Sequence, residues 1–114
     1  MAAYPVPQLP IQFGVERSAE ATTVKCYGKL NSDTSPELKA LVKPMIAETR
    51  RIELDLSGLE YMDSSGLATL VGLYTSAIAS GNCRLQLSHL SPRVRELLRI
   101  TKLLSVFEPF GEHL

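Results

Sequence analysis

Cysteine and histidine are scarce in this chain of 114 residues. It has two cysteines, Cys26 and Cys83, which lie 57 positions apart, and two histidines, His89 and His113. Zinc sites and thioredoxin-like redox motifs need closely spaced ligands or thiols, and the chain contains no CxxC pair. Two isolated cysteines are typical of a protein in the reducing cytosol. We therefore predict no bound metal, no cofactor and a cytoplasmic location.

An excess of charge of either sign is also missing. Twelve Lys and Arg residues balance 12 Asp and Glu residues, so the formal net charge is zero. Nucleic-acid-binding proteins use a positive surface to displace counterions from phosphates, and membrane-surface proteins use polybasic patches. The charge balance therefore argues against direct nucleic-acid binding and against a basic membrane anchor.

Long apolar runs are absent too. The first ten residues contain three prolines and lack the basic and apolar regions of a secretory signal. The longest segment without charge or histidine, 64–83, has 20 residues, but half of them are small or polar. A membrane span needs about 20 mainly apolar residues, so we expect no membrane insertion. We predict an extended N-terminal arm over 1–10 and a single domain over 11–114.

Strand and helix patterns alternate along the chain. Apolar residues at every second position predict strands, and apolar residues three or four positions apart predict helices. The predicted strands are 11–17, 22–30, 51–56, 84–90 and 104–107, with a turn over 57–59. Helices are predicted to begin near Ser35, Asp63 and Ser91. The order β-β-α-β-α-β-α-β predicts an α/β fold, with a mixed β-sheet of four to five strands and helices packed against it.

Serine, proline and glycine positions predict where the helices begin and end and where one of them bends. Ser35 and Ser91 each precede a proline, and serine can cap a helix whose first turn begins with proline. Pro44 lies inside the first helix and predicts a kink or a local shift of hydrogen bonds. Gly81 suits the left-handed residue that ends a helix. The predicted apolar stripe of the second helix consists of Leu67, Leu70, Val71, Tyr74 and Ile78.

The most informative segment is Tyr-Met-Asp-Ser-Ser-Gly-Leu at 61–67. As ordinary turn chemistry, it joins a strand to a helix: Asp63 caps the helix and Gly66 allows close packing. As a functional motif, it presents a serine hydroxyl at a helix N-terminus, where free N–H groups and the helix dipole favour phosphate. The spacing alone leaves both interpretations open.

The outer face of the second helix carries no charge. Opposite its predicted stripe lie Ser65, Ala68, Thr69, Gly72, Ser76 and Ala79. With 21% charged residues in the whole chain, about four charges are expected over 64–83, and none occurs. Such a face suits a docked protein, because charged groups in an interface core must lose their water. The alternative is that another part of the chain, such as the N-terminal arm, covers the helix.

Several segments of the chain occur together in one known family. They are Gly28–Asn31, Leu38, Leu54–Leu67, Ser91–Val94 and Leu103–Phe110. In combination, over about 11–110, they resemble the STAS domain of bacterial anti-sigma factor antagonists. Most of the strand patterns are generic, whereas Met-Asp-Ser-Ser-Gly-Leu at 62–67 after an alternating strand is specific to this family.

The resemblance implies a partner-switching regulator and not an enzyme. Members of the family bind an anti-sigma factor that is also a serine kinase. This binding releases a sigma factor for transcription. The kinase phosphorylates the first serine of the motif, here Ser64, and a serine phosphatase reverses the modification. We expect the phosphate to abolish binding, since it adds about −1.5 to −2 charges to an uncharged surface. We also expect the helix N-terminus to stabilise the phosphate within the protein.

The expected partner-binding residues surround that serine. They are Asn31, Asp33, Asp63, Ser65, Gly66, Ala68, Thr69 and Gly72. Helical projection places Ser65 further outward than Ser64, whereas the resemblance favours Ser64 as the phosphate acceptor. We follow the resemblance for the acceptor and assign Ser65 to capping or partner contact.

Two positions depart from the family pattern. Asn31 stands where the family commonly has Asp, so a contact to the kinase or its nucleotide is expected to differ, with Asp33 as a possible substitute. In the C-terminal helix, Thr-Lys-Leu at 101–103 replaces a small-Gly-Leu turn.

Three other functions compete with this interpretation. A serine hydrolase is disfavoured, because the serines are not in a G-x-S-x-G motif and both histidines are poorly placed. A prosthetic-group carrier is disfavoured, because such carriers are acidic helical bundles. A STAS module that serves as a docking subunit of a lipid or anion transport system, without a sigma-factor role, stays open as the alternative.

Overall fold

A computed structural model describes residues 10–107, which form four strands and four helices. The strands are β1 (Ile11–Arg17), β2 (Thr22–Leu30), β3 (Arg51–Met62) and β4 (Arg84–Ser88). The helices are α1 (Ser35–Glu48), α2 (Ser64–Ser80), α3 (Pro92–Ile100) and α4 (Leu104–Phe107). The boundaries predicted for the first two strands are confirmed.

The strands form one mixed sheet in the order β1-β2-β3-β4. β1 and β2 pair antiparallel, whereas β3 pairs parallel with both β2 and β4. Parallel neighbours require a crossover connection, and α1 and α2 provide the two crossovers. The predicted α/β fold with a mixed sheet of four to five strands is confirmed, with four strands in the described residues.

β3 extends to Met62 and is twice as long as predicted. The predicted turn over 57–59 is therefore wrong. The pairing with β2 shows two β-bulges, because β3 contains one extra residue between Asp55 and Gly58 and another between Leu59 and Tyr61. Each bulge shifts by one residue the alternation of the β3 side chains between the two faces of the sheet.

Gly58 explains how turn-like residues fit within a strand. A Cβ atom at this position would lie 2.6 Å from Cδ1 of Tyr27 and 2.7 Å from the carbonyl oxygen of Cys26. Only glycine leaves room for β2 to approach this closely. The Ser-Gly pair at 57–58 is therefore a bulge that lets the strand continue.

α1 and α2 cover one face of the sheet. Consecutive right-handed crossovers in one direction place their helices on the same face. On that face the in-register residues Val24, Leu54 and Leu87 are buried. Leu38 of α1 and Leu70 of α2 are fully buried above the sheet, and the two helices pack against each other. Burial of each such side chain contributes about 1.5–3 kcal/mol to stability, so this core determines the placement of α1 and α2.

α1 begins at the residue predicted to be its cap, one residue earlier than expected. Ser35 is the first helical residue, and Thr34 occupies the N-cap position without a side-chain cap bond. Thr34 Oγ1 instead donates to the carbonyl oxygen of Lys29 over 2.7 Å and accepts from the N–H of Asn31 over 2.9 Å. Because Thr34 is the N-cap residue and Ser35 is already helical, the prediction that Ser35 caps the helix is wrong. The helix continues through Pro44.

The predicted ends of the other two long helices are confirmed. Asp63 caps α2, and Gly81 ends it in the left-handed conformation with φ 78°. Ser91 caps α3, where its Oγ accepts a hydrogen bond of 3.3 Å from the N–H of Val94.

The last predicted strand is wrong. Residues Leu104–Phe107 form the short helix α4, and β4 ends at Ser88 instead of residue 90. A run of four apolar residues does not distinguish a strand from a buried helical turn. Phe107 is buried and packs edge-on against Tyr74, with ring centroids 5.1 Å apart. The predicted N-terminal arm lies, apart from Pro10, outside the described residues.

Two glycines of α2 provide a matched test of the packing. A Cβ on Gly66 would lie 2.6 Å from the Leu30 carbonyl oxygen and 2.9 Å from Met62 Cγ, whereas a Cβ on Gly72 would meet no atom within 4 Å. We expect Gly66→Ala to lower the free energy of unfolding by about 1–3 kcal/mol through overpacking. Gly72→Ala should raise it by up to about 1 kcal/mol, because alanine favours a helix.

Urea denaturation followed by circular dichroism measures both changes. Equal stability of Gly66→Ala and Gly72→Ala would contradict the close packing of Leu30 against α2.

Candidate functional site

The segment 61–67 lies at the carboxyl edge of the parallel strands. β2 and β3 end side by side, and each continues into a helix whose N-terminus lies at this edge. The backbone N–H of Asp63 donates to the carbonyl oxygen of Leu30 over 3.2 Å, which joins the ends of the two strands. Ligands and partners of α/β proteins commonly bind at such an edge.

Asp63 organises the first turn of α2. Its Oδ1 accepts hydrogen bonds from the N–H of Ser65 over 2.9 Å and from the N–H of Gly66 over 3.1 Å. These are two of the N–H groups that a helix start leaves without intrahelical partners. The Asp63 carboxylate therefore occupies the positions where a phosphate group would bind the helix N-terminus. Our expectation that the N-terminus stabilises a phosphate stays a prediction, with these two N–H groups already bonded to Asp63.

Ser64 is the more accessible serine of the motif. It is exposed, whereas Ser65 is only half-exposed. The helical projection predicted that Ser65 is more exposed than Ser64. The error comes from the apolar stripe that was predicted for α2. The stripe included Ile78, which is 61% exposed, and omitted Leu73, which is only 2% exposed. The buried side of α2 is thus rotated relative to the prediction, so that Ser64 faces outward.

The loop before α1 is fixed by Asn31. Its Oδ1 accepts hydrogen bonds from the N–H of Asp33 over 2.9 Å and from the N–H of Thr34 over 3.2 Å. Asp33 itself is exposed at the surface. The structure therefore brings this loop to the same edge as Ser64, and Asn31 has a structural role in the loop in addition to any contact with a partner.

Gly66 differs from its predicted role in partner binding. It is buried, and the Leu30 carbonyl oxygen and the Met62 side chain fill the space around it. Its function in the fold is the close approach of β2 to α2. Gly66 therefore supports the site from inside the fold and is too buried to contact a partner.

The outer side of α2 borders a groove. Ala68 and Gly72 are exposed, and Thr69 is half-exposed. Together with Ser76 they line a groove of about 400 Å³ whose other wall is formed by Lys39 and Lys43 of α1. We call it the α1–α2 groove. The described residues leave this face open, and the predicted alternative of an arm covering it concerns residues outside the described range.

The two lysines were missed by sequence reasoning. The prediction of parallel crossovers could have found them, because helices that begin at the same sheet edge place equivalent turns side by side. Lys39 and Ala68 are each the fifth residue of their helix, and Lys43 and Gly72 are each the ninth.

Among the described residues, the one histidine and the two cysteines do not belong to the start of α2. His89 pairs with Asp55 over 3.4 Å, and neither residue belongs to the α2 start. Burial raises the pKa of the Cys26 thiol to about 12 and also raises the pKa of Cys83, so neither thiol is an activated nucleophile. Within residues 10–107, no cluster of three potential metal ligands occurs. In the same range, no helix is both long and apolar enough to cross a membrane.

Comparisons with known proteins agree with this geometry. The family model described as "Mlab, STAS domain" matches residues 13–106. An anti-sigma-B factor antagonist of Staphylococcus aureus is 37% identical over 81 residues, which cover 70% of this chain and 74% of that protein. An anti-sigma-B factor antagonist of Listeria monocytogenes is 32% identical over 94 residues, which cover 82% of each chain.

The fold itself matches a solved structure. The crystal structure of an anti-sigma factor antagonist from Mycobacterium paratuberculosis superposes with a TM-score of 0.76 at 23% identity, covering 85% of this chain and 82% of that one. The chain therefore belongs to the STAS domain family, with anti-sigma factor antagonists among its relatives.

Proposed function

We propose that this protein is an anti-sigma factor antagonist that works by partner switching in the cytoplasm. In its unmodified form it binds an anti-sigma factor that is also a serine kinase, and a sigma factor is released. Phosphorylation at Ser64 ends the binding, and a serine phosphatase restores it. The single observation that carries this proposal is the exposed hydroxyl of Ser64 at the start of an uncharged helix face.

The position of Ser64 suits it to a kinase. A serine can be modified in the folded state only if its hydroxyl reaches the nucleotide of the kinase. Ser64 is exposed, and the Asp63 hydrogen bonds to the backbone of the next two residues hold its turn in place. Modification therefore requires no unfolding of α2.

The surroundings of Ser64 make one phosphate decisive for binding. Positions 64–83 contain no charged residue, and Asp63 is the adjacent acidic group. A phosphate adds about −1.5 to −2 charges at pH 7. Because Asp63 already accepts from the N–H groups of Ser65 and Gly66, the phosphate would lie at the surface beside a carboxylate. A partner without a cation there would have to remove its water.

A docking subunit of a lipid or anion transport system is the alternative. It would use the same uncharged α2 face and would need no phosphate acceptor. The two relatives described above, at 37% and 32% identity, are named anti-sigma-B factor antagonists, which favours the sigma-factor role.

Phosphate labelling tests the acceptor. We expect a purified anti-sigma factor kinase from the genome that encodes this chain to label the protein with ATP, and we expect Ser64→Ala to abolish the label. Ser65→Ala is the matched control and should retain it, because Ser65 is less exposed. Phosphopeptide mapping by mass spectrometry identifies the site.

Two outcomes of this experiment would contradict the proposal. Label on Ser65 alone would refute the assignment of the acceptor. The absence of label with every candidate kinase would favour the transport-associated alternative.

Binding measurements test the switch. We expect phosphorylation of Ser64 to weaken binding of the anti-sigma factor by two to three decades in Kd, which corresponds to about 3–4 kcal/mol. Ser64→Asp should weaken it by only about tenfold, because it adds one charge on a shorter side chain. Isothermal titration calorimetry measures both values, and Ser64→Ala should bind like the unmodified protein. Equal affinity of the phosphorylated and unmodified forms would refute the switch.

Asn31 tests the departure from the family pattern. Asn31→Asp keeps the Oδ1 acceptor for the N–H groups of Asp33 and Thr34, so the fold should be retained. An acidic residue beside a helix N-terminus contributes about 0.3–1 kcal/mol, so stability should be equal or higher. We expect Asn31→Asp to increase the labelling rate of Ser64, since it restores the residue common in the family.

Asn31→Ala serves as the control, because it removes both hydrogen bonds and should cost about 1–2 kcal/mol of stability. Thermal unfolding and initial labelling rates separate the two effects. Slower labelling of Asn31→Asp would show that the asparagine is suited to this protein's own kinase.

A further inference from the structure

The α1–α2 groove combines two kinds of surface. One wall is the uncharged ridge of α2, formed by Ala68, Gly72 and Ser76, and the other carries Lys39 and Lys43. Among the described residues, those that line the groove include no acidic side chain. A volume of about 400 Å³ falls within the usual range of binding clefts, and the groove is open along both helices.

We propose that the α1–α2 groove binds an acidic, amphipathic helix of the anti-sigma factor. The carboxylates of this helix pair with Lys39 and Lys43, and its small or apolar residues lie on the α2 ridge. The proposal rests on the proposed function, because it identifies the part of the partner that the same site recognises.

The spacing of the lysines fits a helix laid along the groove. Lys39 and Lys43 are four residues apart on α1, so their Cα atoms are separated by about 6 Å along the helix axis. Carboxylates four residues apart on a partner helix have the same separation. Both lysines can therefore pair at once when the partner helix lies alongside α1.

The α2 ridge permits close approach of the partner backbone. Ala68, Gly72 and Ser76 follow each other at intervals of four residues and form one row on the helix surface. A Cβ on Gly72 would meet no atom within 4 Å, so this part of the row is open. Small side chains in such a row reduce the distance between packed helices.

The positive charge of the groove favours a partner with negative charge. The charged groups in the groove are two lysines, and burying them against a neutral or basic surface would be unfavourable. An acidic segment gains attraction at long range as well as in the complex, which raises the association rate. The groove thus favours an acidic helix over other protein surfaces.

The groove also accounts for the position of the switch. Ser64 precedes Ala68 by four residues and lies at the end of the same row. A phosphate at this point adds negative charge where an acidic helix would lie, and it is one helical turn from the level of Lys39. Repulsion of the acidic helix then adds to the cost of removing water from the phosphate.

Charge reversal tests the proposal. The probe is the purified anti-sigma factor that binds the wild-type protein in the Ser64 experiments. We expect Lys39→Glu combined with Lys43→Glu to raise its Kd about 10- to 100-fold at 0.15 M salt, and the difference should shrink at 0.5 M salt because of screening. Arg17→Glu combined with Arg93→Glu makes the same change in net charge on exposed residues elsewhere and should leave Kd within about twofold.

A steric variant tests the ridge independently of charge. Gly72→Leu places a large side chain on the open row, where a Cβ would meet no described atom within 4 Å, and leucine favours a helix. We expect it to raise Kd at least tenfold while the melting temperature stays equal or rises. Circular dichroism melts of all variants exclude unfolding as the cause of weaker binding.

The outcomes separate this proposal from the proposed function. If wild-type protein binds the anti-sigma factor and both the lysine double variant and Gly72→Leu bind equally well, the groove proposal is overturned and the partner switch stands. If only Gly72→Leu weakens binding, the acidic character of the partner helix is wrong. If wild-type protein binds no anti-sigma factor, both proposals fall. Self-association that the lysine variant abolishes would assign the groove to a second copy of this chain and overturn the proposal.

Discussion

The close contact between Leu30 and the first turn of α2 holds the whole site in place. The Leu30 carbonyl oxygen accepts from the N–H of Asp63, and a Cβ on Gly66 would lie only 2.6 Å from it. Leu30 is fully buried, and it directly precedes the loop fixed by Asn31. Gly66 therefore allows the ends of β2 and β3 and the starts of α1 and α2 to meet at one edge.

The first turn of α2 separates the groups that stabilise the helix from the proposed phosphate acceptor. Asp63 supplies the cap of α2, and Leu67 and Leu70 anchor its buried side. Ser64 takes no part in this core, because it lies on the exposed side of the turn. Two N–H groups of the helix start are thus already bonded to an internal carboxylate. A phosphate at Ser64 would leave the fold intact and change only the surface that a partner meets.

The sequence predicted the fold well and the site in part, for identifiable reasons. Some features depend on local chemistry, which a sequence displays directly. They are the alternating run before Ser57, the caps at Asp63 and Ser91 and the helix end at Gly81. The long β3 and the helix α4 depend on tertiary contacts: Gly58 fits against Tyr27, and Phe107 packs on Tyr74. The exposure of Ser64 was mispredicted by projection, because Leu73 instead of Ile78 faces the core, and periodicity alone does not show which apolar residue is buried.

The lysines of α1 determine which kind of partner the uncharged face of α2 favours. The parallel arrangement of β2, β3 and β4 places both helices on one face with their N-termini at one edge, so two lysines of α1 flank an uncharged ridge of α2. On an isolated helix, an uncharged face would favour any flat apolar partner. Next to two cations that share a groove with it, the same face favours a partner that is both closely packed and acidic. Specificity here arises from the pairing of two helices, which neither segment of the sequence shows by itself.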